Sequence, residues 1–448
     1  MVLLNRLIWG FALVAVGAVN MSAQEQLSLS DAIQVGLENN LQLRIADQSV
    51  QISANNNNWA TAGRYPTVDF SINSQNGFTD QNNPASPALP EYTSINGGGV
   101  AALDASWLLF DGYRVRFTKE QLETLEAQSQ GNAAVVAENV IQSIILSYYQ
   151  VQIQAEQLGV LEEVLTLSRD RVDYQEIRKE YGQASTFDIL QSEDAYLSDS
   201  TSYLAQLDAY EAAMRNLNLA MGVEDLGTNY VLTDNLQFEV PAYEYAYLEE
   251  KMFSENKNLK NLLISRELAR INTELQEAAK SPTVRLGTGA TYNVNVNKIN
   301  AVNPFTGMDF GTSVGRTFNY YFNISATYRL YDGGVRRRNV ENAQMQELSS
   351  ILQVDDQKRI LSNQLQNTLA TYNTQRNLLQ IATRRIETAR QNLQIADERF
   401  KGGLINSFDY RTIQLSYINA SQAQLNARFN LKVTETELIR LTGGLVRE

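Results

Sequence analysis

The chain contains no cysteine and no histidine. The commonest metal ligands and the usual general base are therefore both missing, and any chemistry falls to carboxylates, lysines and tyrosines. Disulfides, zinc–thiolate centres and a thiol nucleophile are excluded as well. The best-placed acids are Asp188 and Asp409, which lie 221 residues apart in two similar segments, Gly182-Gln183-Ala184-Ser185-Thr186-Phe187-Asp188 and Gly403-Leu404-Ile405-Asn406-Ser407-Phe408-Asp409. In each, a good N-cap residue, Ser185 or Asn406, stands three positions before the acid. At that spacing a carboxylate complements a helix N-terminus and mimics a capping box. Gly182 and Gly403 read as left-handed stops of the preceding helices. The acid pairs Glu162-Glu163 and Glu249-Glu250 read as solvated helix faces, and Asp355-Asp356 lacks the further ligands a metal would need. The expectation is a protein that is not an enzyme and holds no cofactor or metal. A formal charge of −13 repels phosphate backbones, so nucleic acid is not an expected partner.

The elements that must hold these segments are repeated. Leu109-Phe110-Asp111-Gly112 returns as Leu330-Tyr331-Asp332-Gly333, and Leu217…Gly222 as Leu438…Gly443, at the same offset of 221. Tyr65-Pro66-Thr67-Val68 matches Ser281-Pro282-Thr283-Val284 at 216. A duplication this long exceeds solenoid periods and predicts two equivalent half-units, residues 24–222 and 244–448, joined by a linker at 223–243. Residues 1–23 carry Arg6, an apolar run from Leu7 to Val19 and then Met21-Ser22-Ala23, the pattern of a secretory signal too short to span a bilayer. Beyond it no apolar run reaches the ~18 residues of a spanning helix. Any membrane contact must come from strands.

Four segments alternate between apolar and polar residues. Val68, Phe70 and Ile72 oppose Asp69, Ser71 and Asn73, and Leu103, Ala105, Trp107 and Leu109 form a second, less regular set. The third runs from Thr283 to Val296 and the fourth from Phe318 to Leu330. Period two over a dozen residues exceeds the ~5–6 of a soluble sandwich strand and suits the ~9–11 of a tilted membrane strand. Proline-rich or glycine-rich loops, Asn82 to Pro90 and Asn300 to Gly315, separate the strands of each pair. Trp107, Phe110, Tyr320, Tyr321, Tyr328 and Tyr331 sit where an interfacial belt or simple strand-face packing would place them.

All seven prolines fall at positions 66, 84, 87, 90, 241, 282 and 304, leaving Glu91 to Val240 and Phe305 to Glu448 free for very long helices. Tyr113 to Glu180 is predicted as one helix with the stripe Val140, Ile144, Tyr148, Val151, Ala155, Leu158, Leu161 and Leu165. The stripe recurs 221 residues later from Leu361 to Ile386, broken by Arg376. Shorter helices over Ser30 to Ala62 and Thr186 to Met221 are expected to run alongside the first.

Four strands cannot close a barrel, and an open edge in lipid leaves backbone groups unsatisfied at several kcal/mol each. Two copies give eight strands and a filled interior. Three give twelve and a lumen suited to the Asn, Ser, Thr and Gly of the polar faces.

Leu27-Ser28-Leu29-Ser30-Asp31-Ala32-Ile33…Asn39-Asn40-Leu41, the two Phe/Tyr-Asp-Gly turns, the two Gly…Phe-Asp turns and the closing Leu438…Leu441-Thr442-Gly443 form an ordered set. That set resembles the TolC-type outer membrane efflux proteins over the whole mature chain. The resemblance implies an α+β membrane protein of a Gram-negative-type bacterium: a homotrimer closing a twelve-stranded antiparallel β-barrel in outer membrane lipid, continuous with a long periplasmic helical barrel. It also implies an inner-membrane pump and a periplasmic adaptor as partners, in efflux or type I secretion. In that assembly the two Gly…Phe-Asp turns lie at the periplasmic mouth. Asp188 and Asp409 would then ring it with carboxylates that raise one another's pKa and favour cations, and the cap and ring roles are compatible. Gly182, Gln183, Ala184, Gly403, Leu404 and Ile405 would receive the adaptor. Some members latch the mouth with a Tyr and an Arg, and carry a second acid beyond the Asp. Here those positions look like Phe400, Ile405 and Thr412. The reading from another class is a non-conducting periplasmic or cell-surface coiled-coil scaffold or adhesin with a soluble sandwich.

Overall fold

The computed structural model describes residues 25–85, 91–234 and 241–445. The expected signal segment, the end of the first loop and part of the linker lie outside them. In chain order the elements are β1 (Glu25–Leu27), α1 (Leu29–Asn39), α2 (Leu41–Asn56), β2 (Thr67–Asn82), β3 (Glu91–Phe110), α3 (Arg114–Glu180), α4 (Thr186–Met221), β4 (Tyr230–Leu232), α5 (Tyr245–Glu255), α6 (Lys257–Ala278), β5 (Thr283–Val302), β6 (Asp309–Thr327), α7 (Val335–Lys401) and α8 (Ser407–Leu441). The pattern helix pair, strand pair, long helix, shorter helix occurs twice. Helices α3 and α7 are each 67 residues, about 100 Å at ~1.5 Å per residue. Among the described residues no helix is long and apolar enough to cross a membrane.

Two compact units emerge. One holds the described residues up to Asn40, Val140–Pro241 and Tyr372–Thr434; the other holds Leu41–Asn139, Ala242–Thr371 and the described residues from Glu435. The second unit contains a four-stranded antiparallel sheet in the order β2-β3-β5-β6. Pro66 and Pro282 stand just before β2 and β5, where a missing N–H costs no ladder bond. Strands of 16 to 20 residues are longer than a bilayer requires. β5 continues to Val302 and β6 begins at Asp309, so the expected loop from Asn300 to Gly315 shrinks to Asn303–Met308. Ladder pairing overrides the glycines and Asn300 that read as turn formers. β6 ends at Thr327 rather than Leu330, because the chain must turn there into α7.

The Asp-Gly turns after the strands launch the long helices. Asp111 accepts from the Val115 amide at 3.4 Å, and Asp332 from those of Gly334 at 3.0 Å and Arg336 at 3.2 Å. Gly112 has φ +72° and would bring a Cβ to 2.5 Å of the Ala278 carbonyl, so only glycine fits.

The expected helix from Ser30 to Ala62 is broken at Asn40, where φ −63° and ψ 123° leave the helical region, and it ends at Asn56. Asn40 Nδ2 instead donates to the Ala220 carbonyl at 3.0 Å, satisfying the end of α4. Asn256 repeats the arrangement in the second unit, parting α5 from α6 and donating to Leu441 O at 3.0 Å.

In the first unit the packing seams run at heptad spacing. Gln157, Leu161, Val164, Ser168, Arg171 and Gln175 are buried on α3, and Ala382, Ile386, Ala389, Leu393, Ala396 and Phe400 on α7. Steps of four and three are those of knobs-into-holes helices. The expected stripe holds at Val140, Ile144, Tyr148, Val151 and Leu161, but Ala155 is exposed and the seam passes through Val164 instead of Leu165.

Candidate functional site

The two turns of the first unit, α3 to α4 and α7 to α8, have the same backbone. Gly182 (φ +69°) and Gly403 (φ +68°) are left-handed. The Gln183 amide donates to Arg178 O and the Leu404 amide to Arg399 O, each at 2.8 Å, while Gly182 donates to Lys179 O at 2.9 Å and Gly403 to Phe400 O at 3.0 Å. This is the six-to-one and five-to-two pairing of a Schellman motif. No atom lies within 4 Å of a Cβ built on either glycine, so the dihedral angle alone demands glycine there.

The caps differ. Ser185 and Asp188 form a reciprocal box. The Asp188 amide donates to Ser185 Oγ at 3.3 Å, and the Asp188 carboxylate accepts from Ser185 N at 2.9 Å and Oγ at 2.7 Å. Those bonds hold the Asp188 carboxyl below its ordinary pKa. In the second turn the Asp409 amide donates to Asn406 Oδ1 at 2.8 Å. The Asp409 carboxylate is exposed and accepts no hydrogen bond among the described residues. Of the acids expected in a ring, Asp188 is engaged as a cap and Asp409 is free.

Around these turns Gly182, Gln183, Gly403 and Leu404 are exposed and Ala184 and Ile405 half-buried. Tyr181, Phe187 and Phe408 are exposed as well, so both turns present apolar side chains to solvent. Phe400 is buried, with its ring 5.8 Å from Tyr174 and 5.2 Å from Tyr410. Ile405 packs against the same cluster, and Thr412 donates to its own helix at Phe408 O. The hydroxyl that ties the hairpins comes from Tyr174, which donates to Lys401 O at 2.8 Å. Gln175 donates to Ser407 Oγ at 3.0 Å, and Arg411 pairs with Asp199 at 2.7 Å. Sequence reading missed these ties. The signal available was a polar residue at each heptad position of α3 after Val164.

In the second unit Trp107 and Phe110 near the end of β3, Tyr328 just past β6 and Tyr331 in the following turn are exposed at one end of the sheet. Trp107 Nε1 donates to Arg64 O at 2.8 Å. Tyr320 pairs with Ala290 within β6, away from that end. Tyr321 faces the other way, its hydroxyl donating to Asp104 at 2.6 Å. Val68, Phe70, Ile72, Leu103, Phe318, Phe322 and Ile324 are all exposed.

This architecture is similar to that of known proteins. The antibiotic efflux pump outer membrane protein ArpC and the probable efflux pump outer membrane protein TtgC, both from Pseudomonas putida, are each 20% identical over 93% of this chain and 83% of their own length. The fold matches a membrane protein from Pseudomonas aeruginosa with a TM-score of 0.74 at 15% identity, over 93% of this chain and 90% of that one. It matches the Campylobacter jejuni CmeC outer membrane channel with 0.73 at 16%, over 93% and 85%. The outer membrane efflux protein family model matches residues 32–223 and 249–444. Spanning most of the sequence and both repeats of strands and long helices, that match makes this chain a member of the outer membrane efflux protein family.

Proposed function

We propose that three copies of this chain close a twelve-stranded barrel in the outer membrane and a helical tube in the periplasm, forming a passive exit duct. One observation carries the reading: a sheet of four membrane-length strands whose outer strands, β2 and β6, each lack a partner on one side among the described residues. All of β6 is exposed on both faces. Within lipid such an edge is untenable, and pairing β6 of one copy with β2 of the next removes it. On α4, Leu190, Leu197 and Leu204 are exposed at intervals of seven, a seam for a neighbouring helix. The two repeats, residues 24–222 and 244–448 about the segment 223–243, would alternate around the tube.

Cargo is handed over by an inner-membrane pump through a periplasmic adaptor, in efflux or type I secretion. The adaptor docks on the turns at Gly182, Gln183, Ala184, Gly403, Leu404 and Ile405, where exposed Leu404, Phe187 and Phe408 supply apolar anchors. Asp409 lines the mouth as the acid with no competing duty, and Asp188 contributes from its cap. Trp107, Phe110, Tyr320, Tyr328 and Tyr331 contact the lipid interface. The duct performs no chemistry.

Detergent-solubilised protein should run as a trimer by multi-angle light scattering and give stepwise currents in planar bilayers. A water-soluble, non-conducting monomer would sink the proposal and favour a scaffold.

A further inference from the structure

The core of the first unit contains an arginine that forms no ion pair among the described residues. Arg171 lies on the α3 seam, is 4% exposed, and leaves both Nε and Nη1 without a hydrogen-bond partner. Its guanidinium sits 5.4 Å over the ring of Tyr410, a residue 1% exposed whose hydroxyl is also unpartnered. The nearby carboxylate is already committed: Asp199 accepts from Ser168 Oγ at 2.5 Å and from Arg411 Nη1 at 2.7 Å. Ser168 in turn accepts from Gln414 at 2.9 Å. Arg411 keeps 18% of its side chain in solvent, whereas Arg171 is buried and its Nε and Nη1 have no hydrogen-bond partner among the described residues. Of the other acids acting on Tyr410, Asp170 is exposed and Asp397 is held by Lys401 at 2.7 Å. Gln175 Oε1, an acceptor, is buried and unpartnered too. Exchanging its amide O and N keeps the contact with the Ser407 hydroxyl and turns a donor inward.

A buried lysine or histidine in this position could shed its proton. Arginine does not. Two guanidinium groups against one carboxylate leave a net positive charge in a low-dielectric core, and a buried charge persists only when paired. A water would occupy the free donors but would not neutralise them.

We propose that a small monovalent inorganic anion of chloride size binds in this core against Nε and Nη1 of Arg171, completing the cluster of Arg171, Asp199 and Arg411. Its ligands come from α3 and α8 of a single chain, with the carboxylate of α4 as their shared counter-charge. The site therefore needs no neighbouring copy and is independent of the proposed trimer. Bound there, the anion joins α3 of one hairpin to α8 of the other.

The test uses the full-length protein in detergent. Crystals grown in bromide should show an anomalous peak within hydrogen-bond reach of the Arg171 guanidinium. An ordinary water at that position would overturn the proposal. Replacing gluconate with chloride at constant ionic strength should raise the melting temperature by about 2–4 °C and saturate. Arg171→Met removes the buried charge while filling the seam, and should abolish that response. An equal response in wild type and Arg171→Met, or none in wild type, would refute the site.

Discussion

The turn from α3 to α4 and the turn from α7 to α8 share one backbone and differ in how each uses its acid. Both stop a 67-residue helix with a left-handed glycine and the same pair of amide bonds. In the first, Asp188 is bonded twice to Ser185. In the second, Asn406 caps the helix through the Asp409 amide, and the Asp409 carboxylate is left to solvent. Serine offers one short oxygen and leaves its own amide for the carboxylate to satisfy, which draws Asp188 into the box. The two turns keep one backbone while the second leaves its carboxylate without a bond in the cap.

The largest effect should fall on what the turns share. Gly182→Val and Gly403→Val each force a β-branched residue into φ near +69° and should each cost about 1–2 kcal/mol or more. Equal losses in melting temperature would establish that the backbones are equivalent. A loss at one turn alone would break the comparison at its base.

A smaller effect separates the caps. Ser185→Ala should cost about 1 kcal/mol. Because Ser185 and Asp188 bond reciprocally, the double variant Ser185→Ala/Asp188→Ala should lose less than the sum of the singles. The pair Asn406→Ala and Asp409→Ala should show no such coupling, since only the Asp409 backbone takes part. Thermal melts of the six variants measure both cycles.

Much of this arrangement was legible in the sequence, for reasons that also explain what was hidden. The long helices, the four strands and both caps follow from proline placement, period-two alternation and the Ser/Asn-x-x-Asp spacing, all of which act locally. The break at Asn40 was hidden because no proline marks it within an otherwise helical pattern. Its role appears only when its side chain meets the Ala220 carbonyl, 180 residues away. The repeat held the clue, since Asn256 stands 216 residues later and does the same for Leu441. The seam of α3 escaped because it turns polar. A search for apolar residues follows Val140 to Leu161, then loses a stripe that continues through Ser168, Arg171 and Gln175. Phe400 illustrates the converse: read as a latch position that cannot hydrogen-bond, it is a core ring, and one of the bonds between hairpins comes from Tyr174 on the opposite helix.

Acid titration sharpens the contrast between the turns. The Asp188 carboxyl is held below its ordinary pKa by its bonds to Ser185. The ionised form therefore favours folding. Its contribution is complete above the unfolded value of about 3.9 and is lost as pH falls through the lower, folded value. Wild-type melting temperature should fall more steeply than that of Ser185→Ala between about pH 4 and pH 2. The effect is modest because the group is near solvent, and parallel curves would show that the box holds no proton-linked stability.

The smallest change in stability should come from Asp409→Asn, which keeps the amide that Asn406 caps and removes only an unpaired, exposed charge. Surface substitutions of this kind stay within about 0.5 kcal/mol. If the acids of the second turn ring the mouth of a trimer, losing three charges at one constriction should still lower cation selectivity measurably in planar bilayers. Asp188→Asn should do the reverse, weakening the α4 cap while changing selectivity less, because its carboxylate is already bonded within the turn. Reversal potentials in a salt gradient, read beside melting temperatures of the same two proteins, decide the matter. Equal selectivity changes from both variants would show that the two turns act as one ring and that the division between cap and gate is false.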